Sequence, residues 1–269
     1  MSATVQIDNR VIGADNECYV IAEVGNNHQG DFELAKKLID VAKQAGCDAV
    51  KFQKRFNRNL YCKDLFDRHY DSENAFAETY GAHREALELP ISSFGFLADY
   101  ARSIGITFFS TAFDSESAEE LARLGMPAFK IASSDLTNLP LLRQVAGYAK
   151  PVIMSTGYST MDDVQRAYDT VLSINPQLLI LQCTSSYPAE VEDLNLRVIE
   201  SFRGRFPKAV IGYSGHENGI AMPLIAFMLG ARVVEKHLTL NRTMKGTDHA
   251  FSLTGDGMRR MVRDLKRAA

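Results

Sequence analysis

The alternation of short apolar segments with amphipathic segments constrains the fold of this chain most. Eight strand-like segments begin 21 to 58 residues apart, which leaves room for a crossover helix after each one. Eight strands with intervening helices predict a (β/α)8 TIM barrel, in one domain over residues 1–269. The alternative is a doubly wound open sheet, which the lack of a Gly-rich phosphate fingerprint disfavours. The segments are YVIAEVG from Tyr19, AVKFQ from Ala49, TFFSTAF from Thr107, AFKIASS from Ala128, PVIMSTG from Pro151, LLILQCT from Leu178, AVIGYSG from Ala209 and RVVEKHL from Arg232.

Shorter sequence patterns add details to the predicted barrel. The segments TVQI and RVIG around Asn9 precede the first strand and predict an N-terminal hairpin. Residues 54–89 form the largest insertion, between the second strand and its helix. It is predicted to be either a lid over the catalytic face or a charged, partly helical segment on the protein surface. Candidate helix N-caps are Asp31, Ser92, Ser115 and Thr160.

Composition excludes several classes of protein. A formal net charge of −3 argues against a broad nucleic-acid surface, which needs a clustered basic excess. No apolar run approaches the roughly 18 residues of a membrane span, and the N-terminus shows no secretory signal. The four cysteines have no metal-type or disulfide-type spacing. We therefore expect a soluble, cytoplasmic protein with reduced thiols, and no nucleic-acid or membrane partner.

Polar residues recur at the carboxyl ends of the predicted strands. Because strand side chains alternate, Lys51 shares a face with Gln53, Ser214 with His216, and Glu235 with His237. Buried charges without partners cost several kcal/mol each, by the usual order of magnitude. The pattern therefore predicts a ligand site at the barrel mouth. The same parity places there Glu23, Thr111, Lys130 and Ser155.

Two kinds of ligand fit these residues. His216 and His237, at the ends of consecutive strands, could bind one divalent ion and leave positions open for substrate. Oxygen donors from a substrate would favour Mn²⁺ or Mg²⁺, while Zn²⁺ and Co²⁺ remain alternatives. An isolated histidine is more often a hydrogen-bonded core residue than a metal ligand, so the prediction depends on the pair. Lysines and hydroxyls suit a phosphate or a carboxylate, and the candidates are Lys51, Lys130, Ser133, Ser155, Ser214 and Thr111.

Several motifs, in this order, resemble those of the sialic acid synthase (N-acetylneuraminate synthase) family. They are AEVGNNHQGDFELAKKLIDVAKQAGCDAVKFQK, FFSTAFD, KIASSDL, STGYSTMDDV, LQCTSSYP, GYSGHENGIA and EKHLTL with KGTDHAFSL. The resemblance implies a TIM barrel that condenses phosphoenolpyruvate with an open-chain 2-acetamido aldose of the N-acetylmannosamine type. The products would be a nonulosonic (sialic) acid and inorganic phosphate.

The resemblance also assigns roles to individual residues. It implies that His216 and His237 bind the metal and that Glu23 and Glu235 handle protons or place the water. Phosphoenolpyruvate would be held by Lys51, Thr111, Lys130, Ser133, Ser155 and Ser214, with Ser185 standing where some members have Asn. The sugar would contact Glu23, Gln53, Tyr187 and Asp248, and also Asp135, which stands where several members have Glu.

One departure from the family limits what the resemblance implies. Members usually carry a C-terminal antifreeze-like domain that reaches across a homodimer, whereas this sequence ends soon after the eighth strand. We expect that domain to be absent, truncated or encoded separately. A homodimer remains the expected assembly. The alternatives are a legionaminate or pseudaminate synthase, a non-catalytic regulatory barrel, and a sugar isomerase or Schiff-base aldolase.

Overall fold

The eight predicted strands form one closed parallel barrel, as the sequence predicted. In the computed structural model, which describes residues 3–269, the strand order around the barrel is β10-β3-β4-β5-β6-β7-β8-β9. Each strand begins within one residue of its predicted start. The strands are β3 (Tyr19–Gly25), β4 (Ala49–Lys54), β5 (Thr107–Ala112), β6 (Phe129–Ile131), β7 (Val152–Ser155), β8 (Leu178–Cys183), β9 (Val210–Gly215) and β10 (Val233–His237).

Helices surround the barrel and connect successive strands. Their apolar residues recur every three to four positions, so one face packs on the strands and the other meets solvent. The main helices are α1 (Phe32–Gln44), α5 (Ile91–Ser103), α6 (Ser115–Arg123), α7 (Leu139–Gly147), α8 (Met161–Leu172), α9 (Val198–Arg205), α10 (Ala221–Met228) and α11 (Gly255–Arg267). Two short 3-10 turns follow β6 and β8, at Ser133–Asp135 and Val191–Asp193.

Two of the four predicted helix caps are correct. Asp31 accepts a hydrogen bond from the Leu34 backbone N–H at 2.8 Å, and Thr160 forms a capping box with α8. The prediction at Ser92 is wrong, because α5 already begins at Ile91 after a proline. That at Ser115 is wrong by one residue.

Asp114 caps α6 instead of Ser115. Its carboxylate accepts from the backbone N–H groups of Ser117 and Phe56, both at 2.8 Å. The negative charge of the Asp114 carboxylate interacts favourably with the N-terminus of the helix, which the neutral Ser115 hydroxyl cannot do.

A hairpin lies beneath the amino ends of the barrel strands. Strands β1 (Thr4–Ile7) and β2 (Arg10–Gly13) pair antiparallel, as predicted. Ile7 and Ile12 are fully buried, and the Thr107 hydroxyl at the start of β5 donates to Asp8 at 2.6 Å. The hairpin thus packs beneath the start of the strands, and the opposite end is left for ligands.

The insertion after β4 contains three short helices and packs at the carboxyl end of the strands. They are α2 (Asn57–Leu60), α3 (Lys63–Phe66) and α4 (Tyr80–Ala86). Gly30, in the loop after β3, has φ +74°, and a Cβ there would lie 2.3 Å from the carbonyl oxygen of Ala86. On the other side the Asn74 amide oxygen accepts from the Gly246 backbone N–H at 2.9 Å. The insertion is therefore held against the loops after both β3 and β10.

No helix within residues 3–269 combines the length and the apolar character that crossing a membrane requires. The four cysteines are free thiols, as expected, with Cys62 exposed and the others buried.

Close packing at Gly30 predicts a loss of stability that exceeds backbone strain alone. Gly125 has nearly the same φ, +72°, but nothing lies within 4 Å of a Cβ at that position. We expect Gly125→Ala to lose about 1–2 kcal/mol through the left-handed backbone conformation. Gly30→Ala should lose about 1–3 kcal/mol more through the clash with Ala86. Urea unfolding of both variants measures the difference, and equal losses would show that the contact with Ala86 yields freely.

Candidate functional site

A cavity of about 370 Å³ opens at the carboxyl end of the barrel strands. Every site residue named from the sequence lines it, except Asp135. The alternation of side chains along each strand therefore identified the inward face of the strands correctly. The residues brought together are Glu23, Lys51, Gln53, Thr111, Lys130, Ser133, Ser155, Ser185, Tyr187, Ser214, His216, Glu235, His237 and Asp248.

One buried lysine is shared by two carboxylates at the base of the cavity. Lys51 Nζ lies 2.7 Å from Glu23 Oε2 and 3.4 Å from Glu235 Oε1, and it donates to Thr111 Oγ1 at 2.7 Å. The lysine and both acids are at most 5% exposed. Although burial by itself lowers the pKa of Lys51, the two carboxylates raise it above its ordinary value, so the ammonium stays charged.

The two carboxylates differ in their affinity for a proton. Burial raises the pKa of Glu23 to about 7, a value that Lys51 moderates and Glu235 increases. Burial acts on Glu235 in the same direction, but Lys130 and Lys51 hold its pKa below the ordinary value. Near neutral pH, Glu23 therefore binds and releases a proton while Glu235 stays ionised.

A second group of side chains offers donors that the protein leaves unused. The hydroxyls of Ser155 and Ser185 are buried without a hydrogen-bond partner, and Lys130 Nζ donates only to the carbonyl of Ile131, at 3.1 Å. Gly157 keeps this region open, because a Cβ there would lie 2.0 Å from the Ser185 hydroxyl. Unpaired buried donors beside a cation are typical of a site for an oxyanion.

The two predicted metal-binding histidines lie beside each other at the ends of the neighbouring strands β9 and β10. Their ring centroids are 5.5 Å apart, and the His216 Nδ1–H donates to the Thr184 carbonyl at 2.8 Å, which leaves Nε2 free. His237 Nδ1 is buried without a hydrogen-bond partner and lies 4.0 Å from Asp248 Oδ2. Burial, then the neighbouring His216, hold the pKa of His237 well below its ordinary value. A neutral imidazole is the form that ligates metals.

Across residues 3–269, no three His, Cys, Asp or Glu side chains are grouped so as to hold a metal ion. The two imidazoles would therefore be the protein's main contribution to a metal. Glu235 Oε2 is also buried without a partner nearby in the same cavity. This donor set fits a divalent ion with several positions open to substrate and water, as catalytic sites require.

A buried ion pair lies behind the histidines, on the outer face of the barrel strands. Lys236 Nζ contacts Glu217 Oε1 at 2.9 Å and donates to the Glu217 carbonyl at 2.6 Å. The Tyr213 hydroxyl donates to Glu217 Oε2 at 2.7 Å. Because Glu217 follows His216 and Lys236 precedes His237, the pair joins the two segments that carry the imidazoles.

Asp135 lies outside the cavity lining. It sits in the 3-10 turn after β6, where its carboxylate accepts hydrogen bonds from Ser134 at 3.0 Å and Asn138 at 3.4 Å. The sugar contact expected at this position stays a prediction, and in the structure these two neighbours engage the carboxylate.

Several lining residues escaped the sequence analysis. Arg55 stands two residues after Gln53 and four after Lys51, so the alternation of strand side chains could have found it. Arg84 lies in the insertion, where no periodicity marked it. The alternation of strand side chains also places Phe113 and Ala132 on this face, as the structure shows. The other lining residues not named from the sequence are Asn26, Ser134, Tyr158, Cys183 and Thr247.

A larger groove, of about 780 Å³, lies at the other end of the barrel beside the hairpin. Its cations already have partners: Arg10 lies 3.3 Å from Asp48, and Lys43 donates to the Gly105 carbonyl at 2.8 Å. The smaller cavity, with its unpaired donors, is therefore the better candidate for a functional site.

The proton on Glu23 predicts a pH-dependent stability difference. Its folded pKa of about 7 exceeds the ordinary 4.5, so its contribution to stability is complete below pH 4.5 and lost as the pH rises through about 7. Because Glu23→Gln cannot lose that proton, its Tm relative to wild type should rise between pH 5 and pH 8. The exposed Glu192→Gln serves as the control. A Tm difference that is constant over this range would contradict the raised pKa.

Lys236→Met should destabilise the fold because it leaves the Glu217 carboxylate buried without its cationic partner. We expect a loss of about 3–5 kcal/mol in urea unfolding. The double variant Lys236→Met/Glu217→Gln should lose less than the sum of the single losses. The exposed Lys208→Met controls for the substitution itself. Strict additivity would mean that the two side chains do not interact.

Comparisons with known proteins agree with this geometry. The profile of the NeuB family matches residues 38–269. N-acetylneuraminate-9-phosphate synthase from Mus musculus is 41% identical over 96% of this chain and 72% of its own length. N,N'-diacetyllegionaminic acid synthase from Legionella pneumophila is 38% identical, over 95% of this chain and 73% of its own.

Solved structures give the same result. The crystal structure of N-acetylneuraminic acid (sialic acid) synthetase from Leptospira borgpetersenii, in complex with citrate, superimposes with a TM-score of 0.89 at 32% identity. The match covers 100% of this chain and 89% of that one. The (β/α)8 fold is therefore confirmed, and so is the prediction of a synthase-type enzyme. The chain belongs to the NeuB family, the family of the sialic acid synthases.

Proposed function

We propose that this barrel condenses phosphoenolpyruvate with an open-chain 2-acetamido aldose, giving a nonulosonic acid and inorganic phosphate. The observation that carries the proposal is the buried lysine between two carboxylates, beside unpaired hydroxyls and paired imidazoles. Such a site offers cations for an anionic substrate, proton-transfer groups and a place for an electrophile in one enclosed volume.

Phosphoenolpyruvate would occupy the part of the cavity that holds the lysines and hydroxyls. Lys51 and Lys130 would offset the charges of its phosphate and carboxylate, and the free hydroxyls of Ser155 and Ser185 would donate to its oxygens. Thr111, Ser133 and Ser214 complete the predicted set around the same volume. Such fixed donors hold the nucleophilic carbon in place for attack.

The paired histidines support the proposal of a divalent ion, Mn²⁺ or Mg²⁺, held by His216 and His237. When bound, such an ion supplies Lewis-acid polarisation of an aldehyde oxygen. The Thr184 carbonyl fixes the tautomer of His216, and burial keeps His237 neutral, so both rings are prepared as ligands.

The separated pKa values of the carboxylates support distinct roles in proton transfer. C3 of phosphoenolpyruvate forms the new bond to the aldehyde carbon, and Glu23 delivers its proton to the aldehyde oxygen. Water adds at C2 and loses a proton to the ionised Glu235. Cleavage of the C2–O bond then releases phosphate, which takes the remaining proton of the C2 hydroxyl, and leaves the 2-keto acid.

The sugar would lie towards the cavity mouth, against Gln53, Tyr187 and Asp248. The Tyr187 ring packs 4.2 Å from the His216 ring and gives that side an apolar wall. The relatives include synthases named for the 9-phosphate of N-acetylneuraminate, for legionaminic acid and for pseudaminic acid. Legionaminate-type and pseudaminate-type products therefore remain alternatives to a sialic acid. The contacts among residues 3–269 do not support the non-catalytic, isomerase or Schiff-base alternative better than the synthase. A homodimer and a cytoplasmic location remain predictions.

The direct test incubates the protein with Mn²⁺, phosphoenolpyruvate and a panel of 2-acetamido sugars. Phosphate release and the 3-deoxy keto acid are both measured. We expect the two products in equal amounts for at least one sugar. The synthase proposal is wrong if no sugar turns over and calorimetry detects no binding of phosphoenolpyruvate.

His237→Ala should separate chemistry from anion binding. Because the imidazole acts on the aldehyde side of the site, we expect kcat to fall about a hundredfold or more. The Kd of phosphoenolpyruvate should change less than about threefold, since its charges meet the lysines and hydroxyls. His69→Ala, at an exposed position on the insertion, is the matched control. A variant with normal kcat would remove His237 from the mechanism.

A further inference from the structure

The buried ion pair of Glu217 and Lys236 takes no part in the reaction proposed above. Both side chains, and that of Tyr213 beside them, are at most 1% exposed. They lie on the outer face of β9 and β10, where α10 packs, and none of them lines the cavity. The pair therefore needs an explanation other than contact with a substrate.

Stability alone does not explain the pair. The desolvation of two buried charges offsets their attraction, and apolar side chains of similar volume often stabilise a fold as well or better. The backbone also leaves room for the pair at Gly215, where a Cβ would overlap the Glu217 carboxylate and lie 2.6 Å from the Tyr213 ring. The chain thus has three polar side chains and a glycine where simple apolar packing would serve, which indicates a role besides stability.

The pair is adjacent in sequence to both predicted metal ligands. Glu217 follows His216 and Lys236 precedes His237, so the outward ion pair and the inward imidazoles share the same two stretches of backbone. Lys236 Nζ contacts Glu217 twice, at the carboxylate at 2.9 Å and at the backbone carbonyl at 2.6 Å. The second contact holds the backbone itself, directly after His216.

Sheet pairing does not hold His216 at this distance from His237. The pairing of β9 with β10 ends at Gly215 and Lys236, one residue before His216. The His216 carbonyl instead accepts from the Ala189 N–H at 3.2 Å, in the loop after β8, whereas His237 is paired with β3. The two histidines are thus held from different sides, and the ion pair joins those sides beyond the last paired residues of the sheet.

We propose that the Glu217–Lys236 pair is a positioning pair, which sets the spacing of the His216 and His237 imidazoles for one divalent ion. The inference rests on the proposed function, because the ion is part of that proposal. The ring centroids are 5.5 Å apart without any ion. Affinity for a metal depends on how closely the ligands are held in the binding geometry, and changes behind the ligands typically weaken binding about tenfold to a hundredfold. The pair acts only through the backbone of the histidines.

The test measures the Kd of Mn²⁺, from the EPR signal of the free ion, for wild type and for the triple variant Tyr213→Phe/Glu217→Leu/Lys236→Met. The triple variant fills the same volume with apolar groups and removes one charge of each sign, so the net charge near the histidines is unchanged. We expect its Tm to stay within about 5 °C of wild type. Its Kd for Mn²⁺ should rise about tenfold or more, while its Kd for phosphoenolpyruvate changes less than about threefold.

Two single variants complete the series. Tyr213→Phe removes the same hydroxyl as the triple variant but keeps the ion pair, so its Kd for Mn²⁺ should stay within about threefold of wild type. Glu217→Asp shortens the carboxylate by one methylene and keeps the charge. It should weaken Mn²⁺ binding at least about threefold, and it decides the question if the triple variant does not fold.

The outcomes separate the positioning pair from the reaction itself. Wild-type affinity for Mn²⁺ in the folded triple variant, or in Glu217→Asp if the triple variant does not fold, overturns the role. An equal loss of Mn²⁺ and phosphoenolpyruvate affinity, or a full loss in Tyr213→Phe, overturns it as well, and the synthase proposal then still stands on turnover by wild type. If wild type binds Mn²⁺ but turns over no sugar, the reaction is wrong and this test still decides. A wild type that binds no Mn²⁺ overturns the metal site together with its positioning pair.

Discussion

The rest of the site depends on one lysine that two carboxylates share inside the barrel. Glu23, Lys51 and Glu235 come from β3, β4 and β10, and the first and last strands of the barrel become neighbours only when the sheet closes. In an open sheet Glu235 would be far from the other two. Closure therefore assembles the charge cluster, and the cluster in turn has a cost in desolvation that the apolar packing around the barrel must offset.

This coupling explains why proton affinity is distributed unevenly. A single ammonium cannot fully compensate two buried acids, so one of them retains a proton near neutral pH. Lys130 decides which one, because its charge falls mainly on Glu235. Because the buried positive charge is too small for both carboxylates, Glu23 can act as an acid while the neighbouring Glu235 can act as a base.

Much of the fold and of the site followed from strand alternation alone. A period of two specifies which side chains point inward, and a closed barrel brings every inward side chain at one end to the same place. Strand alternation says nothing about segments where no such period operates. Asp135 sits in a 3-10 turn and Arg84 in an irregular insertion, so their directions depend on contacts between segments distant in sequence. The caps at Ser92 and Ser115 failed because a proline and an aspartate one or two positions earlier begin those helices.

The contact between Gly30 and Ala86, together with the hydrogen bond from Gly246 to Asn74, has a further consequence. The insertion that carries Arg84 packs on the loops at the carboxyl end of the barrel, while the lysines, carboxylates and histidines lie on the strands or directly after them. Part of the cavity rim is therefore supplied by a segment that is separate in sequence from the strands that carry the charge cluster. A substitution in the insertion can therefore alter the rim of the cavity without changing a side chain of the strands.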